Sequence, residues 1–243
     1  EVNREVVEVD WDAEAAEKGG YDHYMLKEIH EQPTALRQAI AGRLNPTEGR
    51  VELEDLSLPE ALLRDIDEIQ LVACGTSYHA CLYAKQLIEE FADVRATVDF
   101  ASEYSIGSGR DPERTLVVGV SQSGETADTL RALRMAHRVG IRTLAVTNTV
   151  GSTMARECDD ALYIRAGPEI GVAATKTFAS QVIVLAMFAL TVADTRGELD
   201  PAAGRQLIDN LQDLPGAVQD VLDRNDAIEE VADAYAGGEA FFF

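Results

Sequence analysis

A chain of 243 residues, 46% of them hydrophobic, is long and apolar enough to bury the core of one large domain, or of one medium domain with flanking segments. Its 43 acidic against 21 basic residues leave a formal charge of −22 and an isoelectric point near 4.4, a balance that argues against binding nucleic acid or an anionic membrane surface, which require a basic face. The apolar residues fall in strand-like and helix-like blocks and are not diluted by the charge, which also argues against a disordered chain.

Residues 1–20 are acidic and mixed and read as an extended linker, with Val6, Val9 and Trp11 available for a strand or a docking contact. Over 21–44 the pattern is helical. Met25, Ile29, Leu36 and Ile40 form its stripe, and Gln32-Pro33 is predicted to break it into two helices. Residues 43–58, with Pro46 and Gly49, read as a polar connector, and Pro59 suits the first turn of a short helix ending near Ile66. A first strand is predicted over 68–74, then a helix over 77–91 that buries Cys81, Ala84 and Ile88, then a strand over 96–100. Ser102-Glu103-Tyr104 is expected to open a brief helix, and the following Gly107-Ser108-Gly109 loop lacks a dinucleotide fingerprint. A strand over 115–120, a helix over 126–139 stopped by Gly140, a strand over 142–147, a short helix over 152–157 and a strand over 161–164 continue the alternation. Such alternation implies right-handed crossovers and a central, mostly parallel five-stranded sheet in a three-layer α/β/α domain, flanked by N- and C-terminal helices. An apolar helix over 175–194 comes next, then helical segments over 201–224, broken at Pro215, and 226–236. Ala240-Phe241-Phe242-Phe243 reads as the start of another strand, expected to lead into a second copy of the same fold.

Two strand-to-helix junctions carry the chemistry. After the Val-rich run 117–120 come Ser121, Gln122, Ser123, Gly124 and Thr126: three hydroxyls, an amide and a glycine that permits close backbone approach. With the unpaired N–H groups of the following helix they make a cradle for a phosphate monoester. The plain alternative is an ordinary capping segment. The first strand ends the same way, in Gly75, Thr76 and Ser77, and two such loops can converge at the switch point of an open α/β sheet.

Four stretches, Tyr24-Met25-Leu26-Lys27-Glu28-Ile29-His30-Glu31-Gln32-Pro33, Cys74-Gly75-Thr76-Ser77, Ser121-Gln122-Ser123-Gly124-Glu125-Thr126 and Glu169-Ile170-Gly171-Val172-Ala173-Ala174-Thr175-Lys176, stand in an order and at spacings that resemble the glutamine:fructose-6-phosphate amidotransferases, the glucosamine-6-phosphate synthase family. More narrowly, they resemble the first half of that family's sugar-isomerase (SIS) region. The resemblance covers most of the chain. It implies a linker and N-terminal helices from the glutaminase–isomerase junction over 1–54, a first SIS domain over 55–197, and connecting helices with the start of a second SIS domain over 198–243. It also implies sugar-phosphate contacts from Thr76, Ser77, Ser121, Gln122, Ser123 and Thr126, and a sugar contact from Val172. Where the family typically has Ser before Thr-Lys, this chain has Ala174, which removes one sugar hydrogen bond worth about 1 kcal/mol.

The family converts fructose 6-phosphate and glutamine to glucosamine 6-phosphate. Its catalytic Glu, His and Lys belong to the second SIS domain and the C-terminal tail, and its glutaminase nucleophile is an N-terminal Cys. No residue of this chain is therefore assigned a catalytic role. Glu125 reads as a first-turn carboxylate favoured by the helix dipole, and His79 and Lys176 read as ordinary helix residues; Glu169 is likewise taken as structural. The resemblance implies no metal and no organic cofactor. The partners implied are fructose 6-phosphate or glucosamine 6-phosphate, the glutaminase domain and second SIS domain of a longer chain, and a second copy in a homodimer, with neither nucleic acid nor membrane. Two alternatives share the fold: a stand-alone SIS-type sugar-phosphate isomerase, which needs an internal base, and a non-catalytic sugar-phosphate sensor, for which a basic helix-turn-helix segment would be expected.

Cys74, Cys81 and Cys158 are odd in number and without paired spacing, which argues against a disulfide framework or zinc site and fits a reducing cytoplasm. The longest apolar run, 182–192, reads as a buried core helix. The chain opens on Glu1 with no signal pattern and is expected to begin within a longer protein. Surface carboxylates in this excess suit a high-salt cytoplasm, where screening removes self-repulsion. The midpoint of thermal unfolding is therefore expected to rise from low to molar salt; a midpoint indifferent to salt would contradict this.

Overall fold

The computed structural model describes residues 17–107 and 109–240. The readings placed on Val6, Val9, Trp11, Ser108 and Phe241-Phe242-Phe243 lie outside the described residues. In chain order the elements are α1 (Tyr24–Ile40), a two-residue hairpin of β1 (Leu44–Asn45) and β2 (Arg50–Val51), α2 (Glu60–Asp65), β3 (Glu68–Ala73), α3 (Thr76–Phe91), β4 (Arg95–Phe100), β5 (Thr115–Ser121), α4 (Ala127–Arg138), β6 (Arg142–Thr147), α5 (Thr153–Glu157), β7 (Asp160–Tyr163), α6 (Lys176–Arg196), α7 (Pro201–Leu222) and α8 (Asn225–Tyr235).

β3 to β7 form one parallel sheet in the order β4-β3-β5-β6-β7. Every residue of β3 and β5 is buried, as expected of Val- and Leu-rich strands covered on both faces. Period-two alternation then sorts side chains between two cores. Leu71, Leu116, Val118, Leu144 and Val146 face a large cluster with α1, α2, α3 and α6, while Val72, Val117 and Ala145 face a smaller one with α4 and α5. The chain runs from β3 outward to β4, then returns across β3 to β5 and continues the other way. The reversal lies between β3 and β5, and it puts α3 and α4 on opposite faces of the sheet.

α6 is buried almost all round. Among the described residues it is the one helix long and apolar enough to cross a bilayer, but 72% of its apolar window is buried within the fold, against α1, α2 and α3. It ends at Gly197, whose φ of 75° is the left-handed C-cap conformation. α7 starts on Pro201 with Asp200 as N-cap, its carboxylate accepting the Ala202 and Ala203 N–H groups at 3.0 and 2.9 Å.

Four local expectations are corrected. The first concerns α1, which runs unbroken through Pro33. Proline removes the N–H that would bond the Ile29 carbonyl, and the Gln32 side-chain amide donates to that same carbonyl at 3.0 Å. The buried face of α1 also differs from the predicted stripe: Leu36 is buried with Lys27, Glu28, Pro33, Ala35 and Ala39, whereas Met25 is 43% exposed. Second, α7 continues through Pro215, whose ring is buried while Leu211, Leu214 and Val218 pack on the large core. Burial of that stripe offsets the roughly 3 kcal/mol an interior proline costs. Third, Ser102-Glu103-Tyr104 forms a turn and no helix, because Tyr104 is drawn into the smaller core, where its hydroxyl donates to Gln70 Oε1 at 2.7 Å. Fourth, the polar connector contains the β1–β2 hairpin and a fully buried Arg43.

Candidate functional site

The two hydroxyl-bearing loops leave the carboxyl ends of neighbouring strands. Ala73 of β3 is in register with Val120 of β5, so residues 74–77 and 121–126 emerge side by side at the reversal point of the sheet. Gly75 turns the first loop with φ 59° and ψ −139°, a conformation open to glycine, and delivers Thr76, exposed, and Ser77, nearly buried, into the first turn of α3. In the second loop Ser121 is 4% exposed; its Oγ lies 2.8 Å from Thr126 Oγ1 and accepts the Gly124 N–H at 3.2 Å. Ser123 Oγ accepts the Glu125 N–H at 3.2 Å, and both Gln122 and Ser123 remain half-buried at the surface.

The Ser121 and Ser123 hydroxyls thus bond within the loop and not to the helix that follows. Neither Gly75 nor Thr126 gives its helix a side-chain cap, because glycine has none and the threonine hydroxyl is turned to Ser121. The first-turn N–H groups of α3 and α4 are thus left without a side-chain acceptor from their caps, at two converging positive dipole ends. What the arrangement can do chemically is hold an oxyanion.

The two neighbouring loops are tied to this one. The Gln122 carbonyl accepts from the Asn148 N–H at 3.0 Å and the Thr147 hydroxyl at 3.2 Å, and the Asn148 side chain donates to the Gly167 carbonyl at 2.7 Å and accepts the Ala166 N–H at 2.9 Å. Sequence reasoning missed this brace. Its signal was a Thr-Asn pair ending an otherwise apolar strand.

The remaining named residues fall as follows. Glu125 serves α5, contrary to the expectation that it serves the dipole of α4: its carboxylate accepts the Thr153 N–H at 2.7 Å, a bond that holds it below the usual carboxylate range. Glu169 Oε1 accepts the Thr175 and Thr177 N–H groups at 2.9 and 3.3 Å and so caps the start of α6. Lys176 is buried with Nζ 2.6 Å from Glu31 Oε2, while His79 is exposed beside the Tyr78 ring. Val172 stands fully exposed on the loop after β7, two strands from β5, and Ala174 is half-buried with no hydroxyl. The structure therefore brings Thr76, Ser77, Ser121, Gln122, Ser123 and Thr126 to one reversal point, with Val172 on a separate loop.

No group of three or more His, Cys, Asp or Glu side chains suited to a metal occurs among the described residues. Burial pushes the Cys81 thiol up, and pushes that of Cys158 up to about 12, so neither is a nucleophile near neutral pH.

Residues 62–191, which contain both hydroxyl loops and the whole five-stranded sheet, match the SIS domain. The chain belongs to the SIS domain family. This SIS chain is 56% identical over 242 residues to the glutamine–fructose-6-phosphate aminotransferase (isomerizing) of Halobacterium salinarum, an alignment that covers 100% of the chain and 40% of that protein. To the enzyme of the same name from Methanosarcina acetivorans it is 45% identical, with coverage of 99% and 39%. The chain thus spans about 40% of the length of the curated relatives it matches. Among solved structures, the C-terminal domain of glucosamine-fructose-6-phosphate aminotransferase from Francisella tularensis is similar, with a TM-score of 0.85 and 36% identity over 92% of this chain and 62% of that one. α1 and α7 lie outside the residues matched to the SIS domain, yet α1 packs on α6 and α7 packs on α1, both against the same core.

Proposed function

We propose that this chain is the sugar-phosphate-binding half of the isomerase region of a longer, cytoplasmic, homodimeric enzyme that makes glucosamine 6-phosphate from fructose 6-phosphate and glutamine. The observation that carries this reading is the pair of helix starts, lacking side-chain caps and lined with hydroxyls, at the one reversal point of the sheet. A dianionic phosphate approaches a chain of charge −22, so local donors have to overcome the global field. Thr76, Ser77, Ser121, Gln122, Ser123 and Thr126 supply O–H and amide donors, and the helix starts supply N–H groups. The sugar then extends toward the loop after β7, where Val172 offers an apolar contact to ring carbons and Ala174 offers no hydrogen bond.

Moving a proton between adjacent sugar carbons needs an acid or base free to act. Glu125, Glu169 and Lys176 are each engaged in structural bonds and His79 lies edge-on to the Tyr78 ring, so the groups that move the proton are supplied by the second SIS domain and C-terminal tail of the longer protein. The chain alone is expected to bind fructose 6-phosphate without turning it over. Calorimetric titration tests this: fructose 6-phosphate should bind, fructose should not, and the double variant Ser123→Ala with Thr126→Ala should weaken binding by about a hundredfold or more, since each lost bond to a charged group is worth about 1.5–3 kcal/mol. Unchanged affinity in the double variant would refute the cradle, and conversion of fructose 6-phosphate by the chain alone would favour a stand-alone isomerase.

A further inference from the structure

The loop of residues 166–175 that carries Val172 is held by α1, a helix outside the residues matched to the SIS domain. Glu28 of α1 is only 2% exposed. Its Oε1 accepts the N–H of Ile170 at 2.6 Å and that of Gly171 at 3.1 Å, and its Oε2 also lies 3.1 Å from the Gly171 nitrogen. A buried carboxylate is costly unless hydrogen-bonded, and here two successive backbone amides do that work. The approach leaves no room for a side chain: a Cβ at position 171 would fall 2.4 Å from Glu28 Oε2. Three residues further along the same face of α1, Glu31 reaches Lys176 at the far end of the loop, at 2.6 Å. The loop is therefore pinned on both sides of its tip, Val172-Ala173, which is exposed.

An exposed tip adds almost nothing to the core, so a desolvated carboxylate spent on fixing it contributes little to the fold that an apolar residue would not contribute better. We infer that Glu28 is a positioning residue that sets the Val172-Ala173 tip against the sugar portion of the ligand, while the 121–126 loop grips the phosphate independently. This rests on the sugar-phosphate reading above and assigns its sugar-side geometry to a helix the family match does not include.

The two halves of the ligand separate the possibilities. Inorganic phosphate and fructose 6-phosphate are titrated into the unaltered chain and into its Glu28→Gln and Glu28→Ala variants, with amide hydrogen exchange read on the same samples. Phosphate affinity should be unchanged in both variants. Fructose 6-phosphate affinity should fall by about tenfold in Glu28→Ala and by less in Glu28→Gln, which keeps one carbonyl acceptor. The Ile170 and Gly171 amides should exchange faster while those of residues 121–126 do not. Equal loss of both ligands, or fructose 6-phosphate affinity unchanged once the Ile170 and Gly171 amides have lost protection, would overturn the positioning role. Should Glu28→Ala fail to fold, Gly171→Ala approaches the same contact from the loop side and is expected to lower sugar-phosphate affinity alone; equal loss of both ligands there would count against the proposal in the same way. Failure of the unaltered chain to bind either ligand would instead remove the sugar-phosphate reading, and this inference with it.

Discussion

Replacing Arg43 by methionine is expected to cost about 3–5 kcal/mol, the range for breaking a buried ion pair from one side. Arg43 is 1% exposed. Its Nη1 donates to the Ala39 carbonyl at 3.1 Å, and its Nη2 donates to the Tyr163 carbonyl at 2.7 Å and to the Asp55 carboxylate. One guanidinium thus joins the end of α1, the connector and β7. Burial pushes its pKa down, with the nearby Asp55 carboxylate opposing that shift. Methionine fills much of the apolar stem's volume, so the loss measured is that of the polar contacts more than of a cavity. It leaves two carbonyls without this donor, and Asp55 with Arg165 alone, 3.5 Å away and 44% exposed. Urea unfolding of the single variant, and of Arg43→Met combined with Asp55→Ala, reads the effect. The second change should recover part of the loss, because no carboxylate then remains half-paired. A single-variant cost below about 1 kcal/mol would mean that the pair is screened like a surface bridge.

Gly124→Ala is the second large effect, and it joins stability to binding. Gly124 has φ +64°, where a side chain costs roughly 1–2 kcal/mol. The space is also occupied: a Cβ there would lie 2.2 Å from Ser152 Oγ, 2.5 Å from Ser152 Cβ and 2.8 Å from Thr147 Oγ1. Ser152 is 2% exposed and caps α5, and Thr147 braces the Gln122 carbonyl, so neither can give way without loosening the loop. Overpacking adds about 1–3 kcal/mol. A total near 2–5 kcal/mol in urea unfolding is expected, together with loss of fructose 6-phosphate binding in the variant that remains folded. Near-normal stability would show that the 121–126 loop does not need this close approach to α5.

Much of the architecture is legible in the sequence because it depends on local pattern. The Val-rich run at 117–120 suits a strand buried on both faces, and the alternation of strands and helices around it puts the hydroxyl-bearing loop that follows at the carboxyl end of a parallel sheet. What was hidden depends on partners far along the chain. Arg43 is buried because Tyr163, 120 residues away, supplies a carbonyl; Glu28 because Ile170, 142 residues away, supplies an amide; Lys176 because Glu31, 145 residues away, supplies a carboxylate. Composition treats all three as surface charges. The prolines fail for a related reason. Pro33 and Pro215 carry the signal of a break, but at Pro33 the Gln32 amide replaces the missing donor, and at Pro215 tertiary burial offsets its absence. In the site itself the hydroxyl loops were legible, whereas the turning of Glu125 toward α5 and the Asn148 brace were not, since both are contacts between loops from different strands.

The measurement that bears most directly on convergence of the two hydroxyl loops around one anion is an amide NMR titration of this chain with fructose 6-phosphate. Shifts are expected to concentrate at residues 75–77 and 121–126, with smaller ones at 172–174. An absence of shifts at millimolar ligand, or shifts gathered instead at the cavity between α4 and α5 lined by Leu133, His137 and Cys158, would contradict it.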